Sequence, residues 1–177
     1  LLFLFASLLA GSGAALYVRT EAAEIYADAE RQVRLLSEIK LRQLVQWRRE
    51  RRGDAQVLFE RNAHSPSVLR ALTQADAESV QQVRGWLGSY LSGYGDYDRA
   101  YFVSVDGQVR VAAPDDGVAP SATLLREGAD AISRRGPSLV DFYRDETDGK
   151  PHLALVIPVI QDDPEDLPDA VMLLRIA

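Results

Sequence analysis

Apolar and polar positions change rhythm twice along this chain. The first eighteen residues, Leu1 to Val18, read LLFLFASLLAGSGAALYV and carry no charge. That is close to the roughly 20 apolar residues a bilayer-crossing helix needs, and no small-x-small cleavage site follows. The pattern predicts the C-terminal part of a transmembrane helix over 1–18. From Thr20 to Asn62 the good helix formers Ala, Glu, Arg, Gln and Leu dominate, with Gly53 the one glycine and no proline. Val33, Leu36, Leu44, Trp47 and Leu58 recur at helical spacing. A long helix over 19–62 follows, about 65 Å at about 1.5 Å per residue. Its apolar stripe reads as a packing surface.

Ser65-Pro66 breaks that helix, because proline lacks a backbone donor and disfavours helix in the residue before it. Ser67 to Leu72 predicts a short helix. Asp76 to about Leu91 predicts another, with Val80, Val83, Trp86 and Leu87 on one face and a glycine-rich stop at Ser92-Gly93-Tyr94-Gly95. Strand grammar then takes over. Ala100–Val105 and Gln108–Ala113 flank Asp106-Gly107, a pair that favours a type I′ hairpin. Ser121 caps a predicted helix to about Ser133. Strands are expected over Ser138–Arg144, His152–Ile160 and Ala170–Ile176, with a turn at Asp148-Gly149 and an acidic loop over Gln161–Asp169. Strands joined by short turns pair antiparallel. The predicted fold class is α+β: a long N-terminal helix, then a five-stranded antiparallel sheet flanked by helices, the globular part occupying 63–177.

Charge narrows the function. Of the 177 residues, ten basic and eight acidic fall in 19–62, and ten basic and eighteen acidic from Ala63 onward, so the globular part is strongly acidic. That argues against nucleic acid, which needs a clustered positive field. The basic cluster Arg48, Arg49, Arg51 and Arg52 reads as a solvated helix face. The chain has no cysteine, which removes thiol nucleophiles and thiolate metal sites. Candidate catalytic groups are sparse. His64 and His152 have no carboxylate at metal-ligand spacing, and Ser37-x-x-Lys40 lies mid-helix without a pocket of its own. The sequence points away from an enzyme, and no cofactor is implied.

Three stretches carry a resemblance. Val45 to Ala55 contains Trp47-x-x-Glu50-Arg51-x-x-Asp54-Ala55; Ala100 to Val109 joins an apolar strand to a second strand through an acid–glycine turn; and Asp141-Phe142-Tyr143 precedes Leu153 to Val159 with its Pro158-Val159 ending. Together they resemble the Cache superfamily, the PAS-like extracytoplasmic sensor domains of bacterial receptors. The resemblance covers nearly the whole chain. It implies a periplasmic sensor anchored in the inner membrane by its first helix, with 19–177 outside. Such a module would bind a small molecule and signal through the long helix to a histidine kinase or diguanylate cyclase, as a homodimer. A second Cache module is expected beyond Ala177. A chemoreceptor ectodomain and a membrane-anchored protein-interaction module are the alternatives. By the same resemblance the ligand pocket involves Trp86, Tyr94, Tyr97, Arg99, Tyr101, Asp141 and Tyr143, with Arg99 pairing a carboxylate metabolite. Tyr94, Arg99, Tyr101 and Phe102 precede the hairpin, whereas the amino-acid-binding members carry their motif after it. Amino-acid sensing is therefore not expected.

Overall fold

Helix punctuation decides where the elements stop. A computed structural model describes residues 2–62, 65–74, 76–159 and 170–177, with side chains from residue 28 onward apart from Asn62. Its elements run α1 (Leu2–Asn62), α2 (Pro66–Thr73), α3 (Ala77–Tyr94), β1 (Tyr97–Ser104), β2 (Val109–Ala113), α4 (Ala122–Arg134), β3 (Ser138–Arg144), β4 (Pro151–Val159) and β5 (Ala170–Ile176). Pro66 occupies the first turn of α2, where its missing N–H costs nothing. The Asp76 carboxylate accepts from the Ser79 N–H to start α3, and the Ser121 hydroxyl accepts from the Leu124 N–H to start α4. The expected acidic loop over 161–169 and His64 lie outside the described residues.

The chain divides into two compact units, Leu1–Arg48 and Arg49–Ala177. In the first, the described side chains form ion pairs along the helix at i,i+3 and i,i+4, Arg31 with Asp28, Arg34 with Glu30 and Arg42 with Glu38. Val33, Leu36 and Leu44 are 64%, 60% and 47% exposed, so this part of the stripe is not buried in a core, contrary to the expectation from spacing. Leu58, its last member, is buried in the second unit. Among the described residues no helix is long and apolar enough to cross a membrane. The segment Leu1–Val18, predicted to do so, lies outside those whose side chains are described.

The second unit is built on one antiparallel sheet in the order β2-β1-β5-β4-β3. The first strand thus pairs with the last, Phe102 opposite Met172 and Ala100 opposite Leu174. Every residue of β5 is buried, since that central strand is covered on both faces. One face carries Tyr101, Val103, Val156, Val171 and Leu173, packed against Leu124 and Ala131 of α4. A Cβ on Gly128 would stand 3.0 Å from Val171 Cγ1, so the absence of a side chain there lets α4 close onto β5. The opposite face carries Phe102, whose ring meets Trp86 of α3 at 6.4 Å between centroids.

The β1–β2 turn differs from expectation. A type I′ turn needs positive φ at both central residues, but Gly107 alone has it, at 80°. Gly107 N–H donates to Ser104 O and Ser104 N–H to Gln108 O. The connection is a three-residue loop, a turn over Ser104–Gly107 closed by a left-handed glycine, which suits an Asp followed by Gly as well as the two-residue form does.

Candidate functional site

A bulge at the start of β1 sorts the candidate residues onto two sides of the sheet. Tyr97 pairs with Ile176, but the next pair is Arg99 with Arg175, leaving Asp98 as the extra residue. Tyr97 therefore faces α3, while Asp98 and Arg99 both reach the α4 side. Alternation then puts Tyr101 on the α4 side and Phe102 under α3.

On the α3 side lies a cavity of about 430 Å³, within the size range of small-molecule sites. Asp54, Val57, Leu58 and Arg61 of α1 form one wall. Gln82, Val83, Trp86, Tyr90 and Tyr94 of α3 form another, and Ser65, Ser67 and Val68 close it at α2. Trp86, Tyr90 and Tyr94 recur every four residues, so their rings stack along one helix face, 6.1 and 4.5 Å apart. Tyr97 extends the row, 5.6 Å from Tyr90. Burial pushes the Tyr90 phenol well above its usual range, and the nearby Tyr97 and Asp54 push the same way. At this end Arg51 donates to the Asp54 carboxylate at 2.8 Å and to the Tyr97 hydroxyl at 3.4 Å, and it pairs with Asp96. Its side chain is only 13% exposed, which corrects the reading of the whole basic cluster as a solvated face.

The α4 side is already self-satisfied. Arg175, a lone charge in the apolar β5 run, is buried, with Nε donating to Asp98 at 2.9 Å and Nη1 to Asp145 at 3.1 Å. Nη1 also lies 3.4 Å from Asp148. His152, buried beside it, places Nε2 2.9 Å from Asp148 and Nδ1 3.1 Å from the Ile176 carbonyl. The Tyr143 hydroxyl donates to Asp145, and burial pushes that phenol up. Arg99, expected to hold a ligand carboxylate, instead grips Asp116 with two hydrogen bonds of 2.8 and 2.7 Å.

The seven candidates thus do not form one pocket. Trp86 and Tyr94 line the cavity and Tyr97 flanks it through Tyr90; Arg99, Tyr101 and Tyr143 lie across the sheet; Asp141 is exposed on β3, accepting from the Phe142 N–H. The sequence reading missed Tyr90, Asp54, Arg61 and Gln82. Tyr90 was legible, standing four residues from both Trp86 and Tyr94. Of the catalytic candidates, the Ser37 hydroxyl donates to its own helix at Val33 O, 2.8 Å.

No family model and no curated protein matches this sequence. Solved structures do match. The ligand-binding domain of the Campylobacter jejuni chemoreceptor Tlp3, solved with 4-methylisoleucine, aligns at 13% identity and TM-score 0.56 over 75% of this chain and 52% of that one. The sensor domain of the V. cholerae histidine kinase DctB aligns at 11% identity and 0.53 over 74% and 49%. A domain of a sensory box/GGDEF family protein from Vibrio parahaemolyticus aligns at 11% and 0.51 over 74% and 55%. The chain shares its fold with these domains. It spans about half the length of these neighbours.

In this fold the α4-side network sets an acid limit. Arg99 holds Asp116 down to about 2, and hydrogen bonds from Lys150 and His152 hold Asp148 low. Burial works to raise Asp145, but hydrogen bonds from Thr147 and Arg175 outweigh it. Groups with depressed folded-state values contribute stability that is fully present above the ordinary carboxylate value of about 3.9 and is lost as pH falls through the depressed value. The melting temperature should therefore hold down to about pH 4 and fall steeply between about pH 4 and 2. A melting temperature unchanged between pH 5 and 2 would refute the assignment.

Proposed function

We propose that this chain is the extracytoplasmic sensing domain of a membrane-bound bacterial receptor, of the histidine kinase or diguanylate cyclase type. A small molecule binds in the cavity between α1 and α3, and the change it makes passes along α1. The observation that carries this reading is the composition of the cavity wall. Four α1 residues, Asp54, Val57, Leu58 and Arg61, face three aromatic rings of α3. A ligand seated there touches the transmitting helix itself and needs no relay. A packed helix responds by translating or rotating an ångström or two, the usual scale of such switches. Trp86 and Tyr94 serve as ring contacts, and Tyr97 braces the row through Tyr90 and Arg51. Arg99, Tyr101 and Tyr143 stand on the other side of the sheet, where Arg99 ties β1 to Asp116 and Tyr143 bonds Asp145. The Tlp3 ligand-binding domain is solved in complex with L-valine and with 4-methylisoleucine, which supports a small-molecule ligand here.

Dimerisation and membrane anchoring belong to the same reading. The exposed Val33, Leu36 and Leu44 suit pairing with the same helix of a second copy, and the uncharged Leu1–Val18 suits the inner membrane. The test is a thermal-shift screen of the chain, in detergent micelles, against a few hundred small metabolites. A binder present at 100 times its Kd stabilises the fold by about 2.7 kcal/mol. At least one compound should raise the melting temperature of the chain, and the Trp86→Ala variant should lose that response. Silence across the panel, or an equal shift in the variant, would sink the reading.

A further inference from the structure

The cavity is chemically lopsided. At its aromatic end the Asp54 carboxylate accepts from Arg51 at 2.8 Å, a guanidinium that also pairs with Asp96. The other end is reached by Arg61, in the last turn of α1, which forms no ion pair with any described residue. Beside it the Ser67 hydroxyl donates to Gln82 Oε1 at 2.8 Å, which leaves the amide nitrogen of Gln82 as a donor. Between the ends stand the rings of Trp86 and Tyr90.

Taking the cavity as the sensing site, as proposed above, we infer that it recognises a small organic carboxylate with a flat apolar body. The carboxylate sits at Arg61, and the body lies against Trp86 and Tyr90. A planar guanidinium offers paired N–H donors that match a carboxylate's two oxygens. The ring walls give apolar area to a body that has no hydrogen bonds to satisfy. The site therefore favours an acid over its neutral amide.

Two probes with one skeleton test this: phenylacetate and 2-phenylacetamide, titrated calorimetrically into the whole chain. Phenylacetate should bind about ten- to a hundredfold more tightly than the amide, the range expected of hydrogen bonds to a charged group. Arg61→Gln, at an exposed helix position, should bring phenylacetate down to the amide's affinity and leave the amide's own affinity unchanged. Trp86→Ala should weaken both. Equal binding of acid and amide, or phenylacetate affinity untouched by Arg61→Gln, overturns the inference. So does absence of phenylacetate binding, and a metabolite that stabilises the chain but not Trp86→Ala would then leave the sensing role standing. Phenylacetate affinity unchanged in Trp86→Ala overturns both, because the ligand would then lie elsewhere.

Discussion

Arg175→Met should destabilise the second unit by about 3–5 kcal/mol, the usual cost of stripping one partner from a buried charge group. The substitution keeps most of the side chain's volume, so the loss is not a cavity effect. Asp145, only 2% exposed in its side chain, would lose its one guanidinium. Asp98 would lose the pairing that closes the bulge of β1 onto β5, and Asp148 would keep only His152 and the Lys150 N–H. The melting temperature should fall by on the order of 10 °C. Chemical denaturation should show a lower midpoint with an unchanged slope, because the native surface stays the same. Adding Asp145→Asn to Arg175→Met should recover part of the loss, since a neutral amide removes the orphaned charge. A cost below about 1 kcal/mol, the range of exposed pairs, would mean the network is far better solvated than its burial indicates.

Phe102→Ala should cost about 3–5 kcal/mol, in the range for aromatic truncations in cores. Phe102 is 1% exposed on β1, between Val111 of β2 and Met172 of β5, so little can collapse into the space it leaves. Its ring is also the floor beneath Trp86, and losing that contact removes a further aromatic pairing. The cavity wall would sag toward the sheet, so ligand affinity should fall together with stability. Phe142→Ala is the control. That ring is 68% exposed on β3, and its loss should stay within about 0.5 kcal/mol. Equal effects of the two substitutions would contradict the assignment of the α3-side core.

Much of this architecture could be read from local pattern. Ser65-Pro66, Asp76 and Ser121 marked helix starts because proline chemistry and side-chain capping are local events. The strands over 138–144 and 170–176 were equally clear from β-rich apolar runs between turn residues. What was not legible is who neighbours whom. The pairing of β1 with β5 joins residues about seventy positions apart, and no local signal specifies it. The bulge at Asp98 depends on that pairing, and the bulge decides which face each β1 side chain takes. Without it, Tyr97, Arg99 and Tyr101 read as one face and one pocket. With it, Tyr97 turns toward α3, and Arg99 is bound by Asp116 from the loop after β2. The Trp47-to-Ala55 stretch was recognised for its resemblance, but its place in the site, through Arg51 and Asp54, needed the tertiary structure. The exposed Val33, Leu36 and Leu44 obey helical spacing as well as buried residues do, since spacing reports a stripe and not what covers it.

Where a bound ligand slows backbone exchange tests the central claim most directly. Hydrogen–deuterium exchange of the whole chain would be followed with and without a compound that stabilises it, whether phenylacetate or a hit from the metabolite panel. Protection is expected along residues 54–61 of α1 and 82–94 of α3, with little change at 143–152. Protection confined to 97–101, 143–152 and the end of β5, with none in α1, would place the ligand on the opposite face of the sheet and contradict the account.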